Sequence, residues 1–243
     1  MITINNISKS YPKQKALDSV SLEFLSGQSI ALIGPNGSGK TTLIKIILSL
    51  VKPDEGDITV LGQDISTSGV YRKDIGYMPQ ITRFPENMTV RQLFRLVKDL
   101  RADISSTSYD LDLYSAYNIE SMNAKPLYAL SGGMKQKVSA ALAFLFDPDI
   151  LILDEPTAAL DPISNERLKE KIRTSYEKEK LVLITSHILS DLDEIVNHVV
   201  YLMEGKIAFH KSIEQLRLET DETRLNKIIV TLLQQMEHHV ENH

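Results

Sequence analysis

Cysteine and tryptophan are absent from the 243 residues, and aromatic side chains make up only 6%. Without thiols, disulfides, iron–sulfur ligation and thiol catalysis are excluded. Basic residues are in deficit: 27 Lys and Arg against 32 Asp and Glu leave a formal charge of -5, so no general positive field draws the chain to nucleic acid. Long apolar runs are missing too. The most apolar stretch, Leu43 to Val51, is interrupted by Lys45, whereas a membrane-spanning helix needs roughly 20 mostly apolar residues. The opening Met1-Ile2-Thr3-Ile4 has neither the charged nor the apolar region of a secretory leader. The expectation is a soluble chain that meets a membrane only through a partner. Its length suits one large domain or two intimately packed ones.

Apolar patterning predicts an α/β chain. Met1 to Tyr11 and Leu17 to Phe24 alternate in part, with Pro12 and Lys13-Gln14-Lys15 between them, and read as an antiparallel edge of a sheet. Ser29 to Ile33 is a short apolar run ending at glycine, as a buried parallel strand does. Thr41 to Leu50 carries helical spacing, Lys52 to Gly56 a turn, and Asp57 to Leu61 a strand. From Pro85 to Asp147 the strand-like runs stop, and Arg91 to Leu100 and Met134 to Phe146 have helical spacing, which predicts a helical insertion. Strands resume at Ile150 to Leu153, Leu181 to Thr185 and Val199 to Met203, with a helix near Ile163 to Glu177. At the tail, Leu225, Ile228, Ile229, Leu232, Leu233, Met236 and Val240 form one helical stripe.

Three motifs carry chemistry. Gly34-Pro35-Asn36-Gly37-Ser38-Gly39-Lys40-Thr41 follows a predicted strand and opens a predicted helix, the setting of a phosphate-binding loop. Backbone N–H groups of such a turn face phosphate oxygens, and the helix N-terminus adds partial positive charge. Lys40 would reach the β- and γ-phosphates, and the Thr41 hydroxyl would ligate Mg²⁺. Asp154-Glu155 closes the apolar run Ile150-Leu151-Ile152-Leu153, where adjacent acids repel unless a cation holds them. Asp154 suits the Mg²⁺ shell, and Glu155 suits a water as general base. The expected position is beside the phosphate loop, at the carboxyl ends of a doubly wound sheet.

Ser131-Gly132-Gly133 opens the helix near Met134, so it presents a hydroxyl and bare N–H groups to an anion. Alone it is a weak signal, more often a loop or a cap. Beside the phosphate loop it suggests one triphosphate closed from two sides by two copies of the chain. Asp161, before Pro162, also reads as a helix cap. His239 and His243 have the spacing of two imidazoles on one helical face, with His238 adjacent, but a frayed, hydrated terminus accounts for them better than a metal site.

Taken in order, the phosphate loop, Gln80, Leu130-Ser131-Gly132-Gly133, Asp154-Glu155, Ala159-Leu160-Asp161 and His187 resemble the ATPase subunit of ATP-binding cassette (ABC) transporters over about Met1 to Leu216. The resemblance implies that fold: a phosphate-loop core with a mixed sheet, an N-terminal antiparallel β subdomain and the helical insertion at about 85–147. Residues 1–217 would form the cassette and 218–243 a helical tail. It also implies ATP and Mg²⁺, a second copy packed head to tail, and a separate transmembrane permease. The chain would sit in the cytoplasm, peripheral on the inner face of the cell membrane.

Position by position, the resemblance makes Tyr11 the aromatic that stacks on adenine, and groups Thr42 with the nucleotide contacts. Gln80 touches Mg²⁺ and the attacking water. Ser131, Gly132 and Gly133 cover the γ-phosphate held by the other copy. Asp161 communicates between the two sites, and His187 contacts the γ-phosphate. Lys40, Glu155 and His187 form the catalytic set, and Thr41, Gln80 and Asp154 the metal set. Two positions depart from the family's commoner residues: Met134 stands where glutamine is usual, and Ala159 where serine or glycine is frequent.

Leu-Ser-Gly-Gly-Met-Lys-Gln-Lys and the short insertion resemble the single-cassette, exporter-type branch, and the whole chain is similar to the ATPase of the copper-linked maturation system of nitrous oxide reductase. Two other classes compete. Non-transport cassettes acting on another macromolecule carry two cassettes or a long coiled coil. Small-molecule kinases and GTPases lack the Ser131-Gly132-Gly133 signature, and no Asn-Lys-x-Asp guanine-reading element occurs here.

Overall fold

The computed structural model describes residues 1–101 and 108–241, with the side chains of 236–241 set aside. Two sheets form. The smaller has the order β2-β1-β4-β5, from Ile2–Tyr11 (β1), Gln14–Phe24 (β2), Glu55–Val60 (β4) and Gln63–Asp64 (β5), all antiparallel. The larger has the order β10-β9-β3-β8-β7-β6, from Ser29–Ile33 (β3), Ile75–Met78 (β6), Ile150–Asp154 (β7), Leu181–Thr185 (β8), His198–Met203 (β9) and Lys206–Ser212 (β10). Within it only β10 runs antiparallel.

The first two strands make half of the smaller sheet, the expected antiparallel β subdomain, with β2 at its edge. β1 lies between β2 and β4, with Ile2 opposite both Phe24 and Val60. The turn is shorter than expected: Tyr11 pairs with Gln14, so Pro12-Lys13 alone turns the hairpin. Between β4 and β5, Leu61 and Gly62 both take positive φ (51° and 76°), the two-residue turn whose twist matches the strands it joins.

The central strands read as unbroken apolar runs because both faces of their sheet are buried. Ile30, Leu32, Ile150, Ile152, Leu181 and Leu183 face one core, shared with the small sheet and with α1 (Lys40–Ile47). Ala31, Ile33, Leu151, Leu153, Val182 and Ile184 face a second core. That core is filled by α2 (Val90–Asp99), α3 (Asp112–Ala116), α4 (Gly132–Phe144), α5 (Pro162–Glu177), α6 (Ile213–Thr220) and α7 (Leu225–Glu241). Each such Leu, Ile or Val side chain stabilises the fold by about 1.5–3 kcal/mol relative to exposure.

Helix α1 stops at Ile47, short of the expected Leu50, because Ser49 adopts φ 52° and Leu50 is exposed. Helix α2 starts from a capping box, in which Thr89 and Gln92 satisfy each other's backbone N–H groups. Among the described residues no strand interrupts 85–147. Leu225, Ile228, Ile229 and Leu232 of the tail stripe are buried, and the 217/218 boundary falls inside α6. The side chains of Met236, Val240, His238 and His239, and all of His243, lie outside the described residues. No helix among those described is long and apolar enough to cross a membrane.

Candidate functional site

The loop between β3 and α1 is shaped by glycines that no other residue could replace. Gly34 and Gly39 take φ of 148° and 110°. A Cβ on Gly34 would lie 1.9 Å from the Leu202 carbonyl oxygen, and one on Gly39 would lie 2.3 Å from that of Ala16. The loop thus lies against both sheets. Lys40 Nζ bridges it, donating to the carbonyls of Gly34 (2.7 Å) and Pro35 (3.0 Å). Burial pushes the Lys40 ammonium below its ordinary pKa, and the charges of Glu155 and Asp154 act in the opposite sense.

The acidic pair does not stand next to the loop's own strand. β8 is interposed between β3 and β7, so Asp154 is two strands away, roughly 10 Å across the sheet. Thr185, the last residue of β8, spans the gap. Its hydroxyl donates to Asp154 Oδ1, and both its carbonyl and its Oγ1 accept the Glu155 N–H at 3.1 Å.

Glu155 itself takes φ 53°, unusual for a side chain of its size. Such backbone costs of order 1–3 kcal/mol and needs surrounding structure to hold it. Thr185 supplies one restraint. Gln136, inside α4, supplies the other, donating to the carbonyls of Glu155 (3.2 Å) and Pro156 (3.3 Å). So aimed, the Glu155 carboxylate meets His187 twice: Oε2 accepts the backbone N–H and Oε1 faces Nε2, each at 3.3 Å. The carboxylate is largely enclosed at 12% exposure, whereas the imidazole is open at 53%.

These groups share one cleft of about 180 Å³, lined by Gln14, Ala16, Asn36, Gly37, Ser38, Gly39, Lys40, Thr41, Thr42, Gln80, Asp154, Glu155, Thr185 and His187. Gly34 and Pro35 stand just behind it as acceptors for Lys40. Tyr11 is not among the lining residues. It is 42% exposed at the hairpin end, and the small sheet contributes Gln14 and Ala16 to the wall instead. Sequence reading missed Gln14, Ala16, Thr185 and Gln136. For Thr185 a signal existed, since it ends a buried strand alongside Asp154.

Ser131, Gly132 and Gly133 do not line the cleft either. They form the N-terminus of α4, with Ser131 Oγ accepting the Met134 N–H at 3.3 Å. Gly133 is pressed against the loop after Glu155, where a Cβ would lie 2.8 Å from the Ala159 carbonyl oxygen. Ala159 holds φ 62°, a conformation glycine takes at lower cost. Met134 packs its side chain on the core.

Asp161 caps α5, accepting the N–H (2.9 Å) and hydroxyl (2.8 Å) of Ser164. It also pairs with Lys137 of α4 at 2.7 Å. The Lys137 contact first, and then the Ser164 hydrogen bonds, hold its carboxyl well below the usual carboxylate range. The arrangement is one cleft that brings the 34–42 loop, Lys40 and a fixed Glu155 carboxylate together, plus a helix N-terminus at Ser131-Gly132-Gly133 on the same chain that does not enter it.

The ABC transporter family model matches residues 17–158, more than half of the chain. Among similar proteins, the lantibiotic transport ATP-binding protein SrtF of Streptococcus pyogenes is 33% identical over 88% of this chain and 92% of its own length. The lipopolysaccharide export system ATP-binding protein LptB of Haemophilus influenzae is 32% identical over 89% and 92%. The Nod factor export ATP-binding protein I of Sinorhizobium fredii is 33% identical over 84% of this chain, which spans 61% of that relative's length.

Among solved structures, an ATP-binding subunit of an ABC transporter superposes with a TM-score of 0.87 at 28% identity, covering 96% of this chain and 99% of that one. A post-hydrolysis cassette dimer bound to ADP and Pi gives 0.76 at 25%, covering 87% and 98%. The chain belongs to the ABC transporter family, as an ATP-binding and ATP-hydrolysing cassette subunit.

Proposed function

We propose that the cleft holds ATP with its phosphates in the 34–42 loop, and that Glu155 and His187 act together on the water that attacks the γ-phosphate. The observation that carries this is the enclosed Glu155 carboxylate, fixed by Thr185 and Gln136 and touching His187 in the same cleft as Lys40. Glu155 takes the water's proton as general base. His187, open on its other side, donates toward the γ-phosphate, and Lys40 and the loop N–H groups hold its charge. Positioning and electrostatics of this kind supply most of phosphoryl-transfer catalysis.

The donors lining the cleft also fit Mg²⁺. Thr41, Gln80 and Asp154 offer hard oxygen ligands, as this ion prefers, and Asp154 keeps Oδ2 without a hydrogen-bond partner among the described residues. Bound there, the ion would neutralise charge on the phosphate oxygens. Tyr11 would reach adenine only across the hairpin end, so Gln14 and Ala16 are the nearer wall.

The separation of Ser131-Gly132-Gly133 from the cleft supports a second copy closing over the nucleotide. Residues 1–217, with the insertion at 85–147, would be the cassette proper, and 218–243 its tail. Work would pass to a separate transmembrane permease through the Gln80 loop and the insertion, placing the chain on the cytoplasmic face of the membrane. The names of SrtF, LptB and the Nod factor relative favour export over import. They give no support to the copper-linked nitrous oxide reductase subtype, so export in general is the reading carried forward.

The test is Glu155→Gln. Turnover should fall by about 10²–10⁴-fold, the usual worth of a positioned base, with ATP binding retained. Near-normal turnover would remove Glu155 from the mechanism.

A further inference from the structure

We propose that the C-terminal helix α7 is a positioning strut for His187, acting through Asp193, and that Asp191 fastens the same segment to the Glu155 loop through Thr157. The inference rests on the roles proposed above for Glu155 and His187, and extends them to a part of the chain outside the cleft.

The stretch from His187 to the start of β9 has little structure of its own. It makes one short turn, Leu189–Asp191, followed by further turns whose backbone hydrogen bonds up to Val196 stay within the segment, such as Leu192 N–H to Leu189 and Ile195 N–H to Leu192. Its far end is tied to Ser29, whose carbonyl accepts the Asn197 N–H at 2.8 Å and whose hydroxyl donates to the Ile195 carbonyl. Nearer His187 the position is set by what the segment packs on, and there two attachments through Asp193 and Asp191 stand out.

The first is α7. The helix packs on the Leu189–Asp191 turn, and its buried Leu225, Ile228, Ile229 and Leu232 share a core with Leu192 and Ile195. Asp193 Oδ1 accepts the N–H of Leu225, the first residue of α7, at 2.6 Å. The first-turn N–H groups of a helix have no partner inside it, and a carboxylate at that end also meets the positive end of the helix dipole. The contact thus ties a helix terminus to the histidine's segment by charge as well as by packing.

The second attachment is Asp191. Its Oδ2 accepts the Thr157 hydroxyl at 2.9 Å, and Oδ1 lies 3.9 Å from Lys169 Nζ of α5. Thr157 stands two residues beyond Glu155. One short segment thus starts at the proposed γ-phosphate histidine, touches the loop of the proposed base, and is seated on the tail helix. If that seat slips, the two 3.3 Å contacts between Glu155 and His187 are what it displaces.

The experiment uses the full-length chain with Asp193→Ala, Asp193→Asn, Thr157→Val and Thr157→Ser. Asp193→Ala and Thr157→Val should lower kcat on the order of 10-fold, within the roughly 10²-fold that a 1 Å misplacement can cost. ATP affinity should change by less than about twofold, the signature of a defect confined to the transition state. Asp193→Asn and Thr157→Ser keep the hydrogen bond and should recover most of the loss. If Asp193→Ala does not fold, Asp193→Ser, whose shorter side chain sets the end of α7 back from the segment, tests the strut with the same readouts, and the Thr157 pair tests the Asp191 contact.

Unchanged kcat in the Ala and Val variants would overturn the proposal, as would equal losses in the conservative variants or a parallel loss of ATP binding. Glu155→Gln separates the two levels: if it turns over normally, the site assignment fails, whereas if it is silent and Asp193→Ala is normal, only the strut fails.

Discussion

At the scale of single residues, the cleft is defined by backbone shapes that side chains resist. Gly34 is the sharpest case, because its φ of 148° and the 1.9 Å approach of Leu202 oxygen leave no room for even a methyl group. Gly34→Ala should therefore destabilise the fold by roughly 1–3 kcal/mol or more, and should lower ATP affinity along with it. Urea denaturation and nucleotide titration on one preparation check this, and wild-type values for both would contradict the geometry. Glu155 shows the opposite use of strain. There a carboxylate sits in a costly conformation because Thr185 and Gln136 hold it, and the result is an aim at His187 that an unstrained residue would not have.

At the scale of elements, α4 and α5 are joined by Lys137 and Asp161, and this junction has a pH signature. The folded-state pKa of Asp161 is lowered, so its contribution is present above its unfolded value, about 3.9, and is lost as pH falls through the lower folded one. Asp161→Asn keeps a capping oxygen but cannot titrate. The stability difference between the native chain and this variant should be flat from neutral pH down to about 4 and shrink below it. A difference that stays constant or grows in acid would refute the assignment, with urea midpoints across the range as the measurement.

Elements were legible in proportion to how local their signal is. The phosphate loop, the end of β7 and the cap at Asp161 are each written in a handful of consecutive residues. β6 was not legible: it is four residues long, contains Gly76, and is a strand because it pairs with β7, with a Gly76 Cβ barred by the Ala143 carbonyl at 2.1 Å. β10 depends in the same way on antiparallel pairing with β9. The split into two sheets was legible through the family resemblance and not through the strands' own patterns, because one face of the main sheet and one face of the small sheet share a core, which alternation in either strand cannot reveal. Gln14, Ala16 and Gln136 reach the site through tertiary placement alone.

At the scale of the whole molecule, one chain carries both halves of the proposed nucleotide clamp, and they stand apart. The 34–42 loop, Asp154, Glu155 and His187 line the cleft, whereas Ser131-Gly132-Gly133 opens α4 elsewhere on the chain. The account therefore needs a second protomer, with ATP as the link and hydrolysis as the release. A structural neighbour solved as a dimer with ADP and Pi is consistent with that arrangement. The most direct measurement is the solution mass of the Glu155→Gln chain by light scattering, with and without saturating ATP and magnesium. The account expects a monomer without nucleotide and a dimer with it. A monomer under both conditions, even with the proposed permease added, would contradict it.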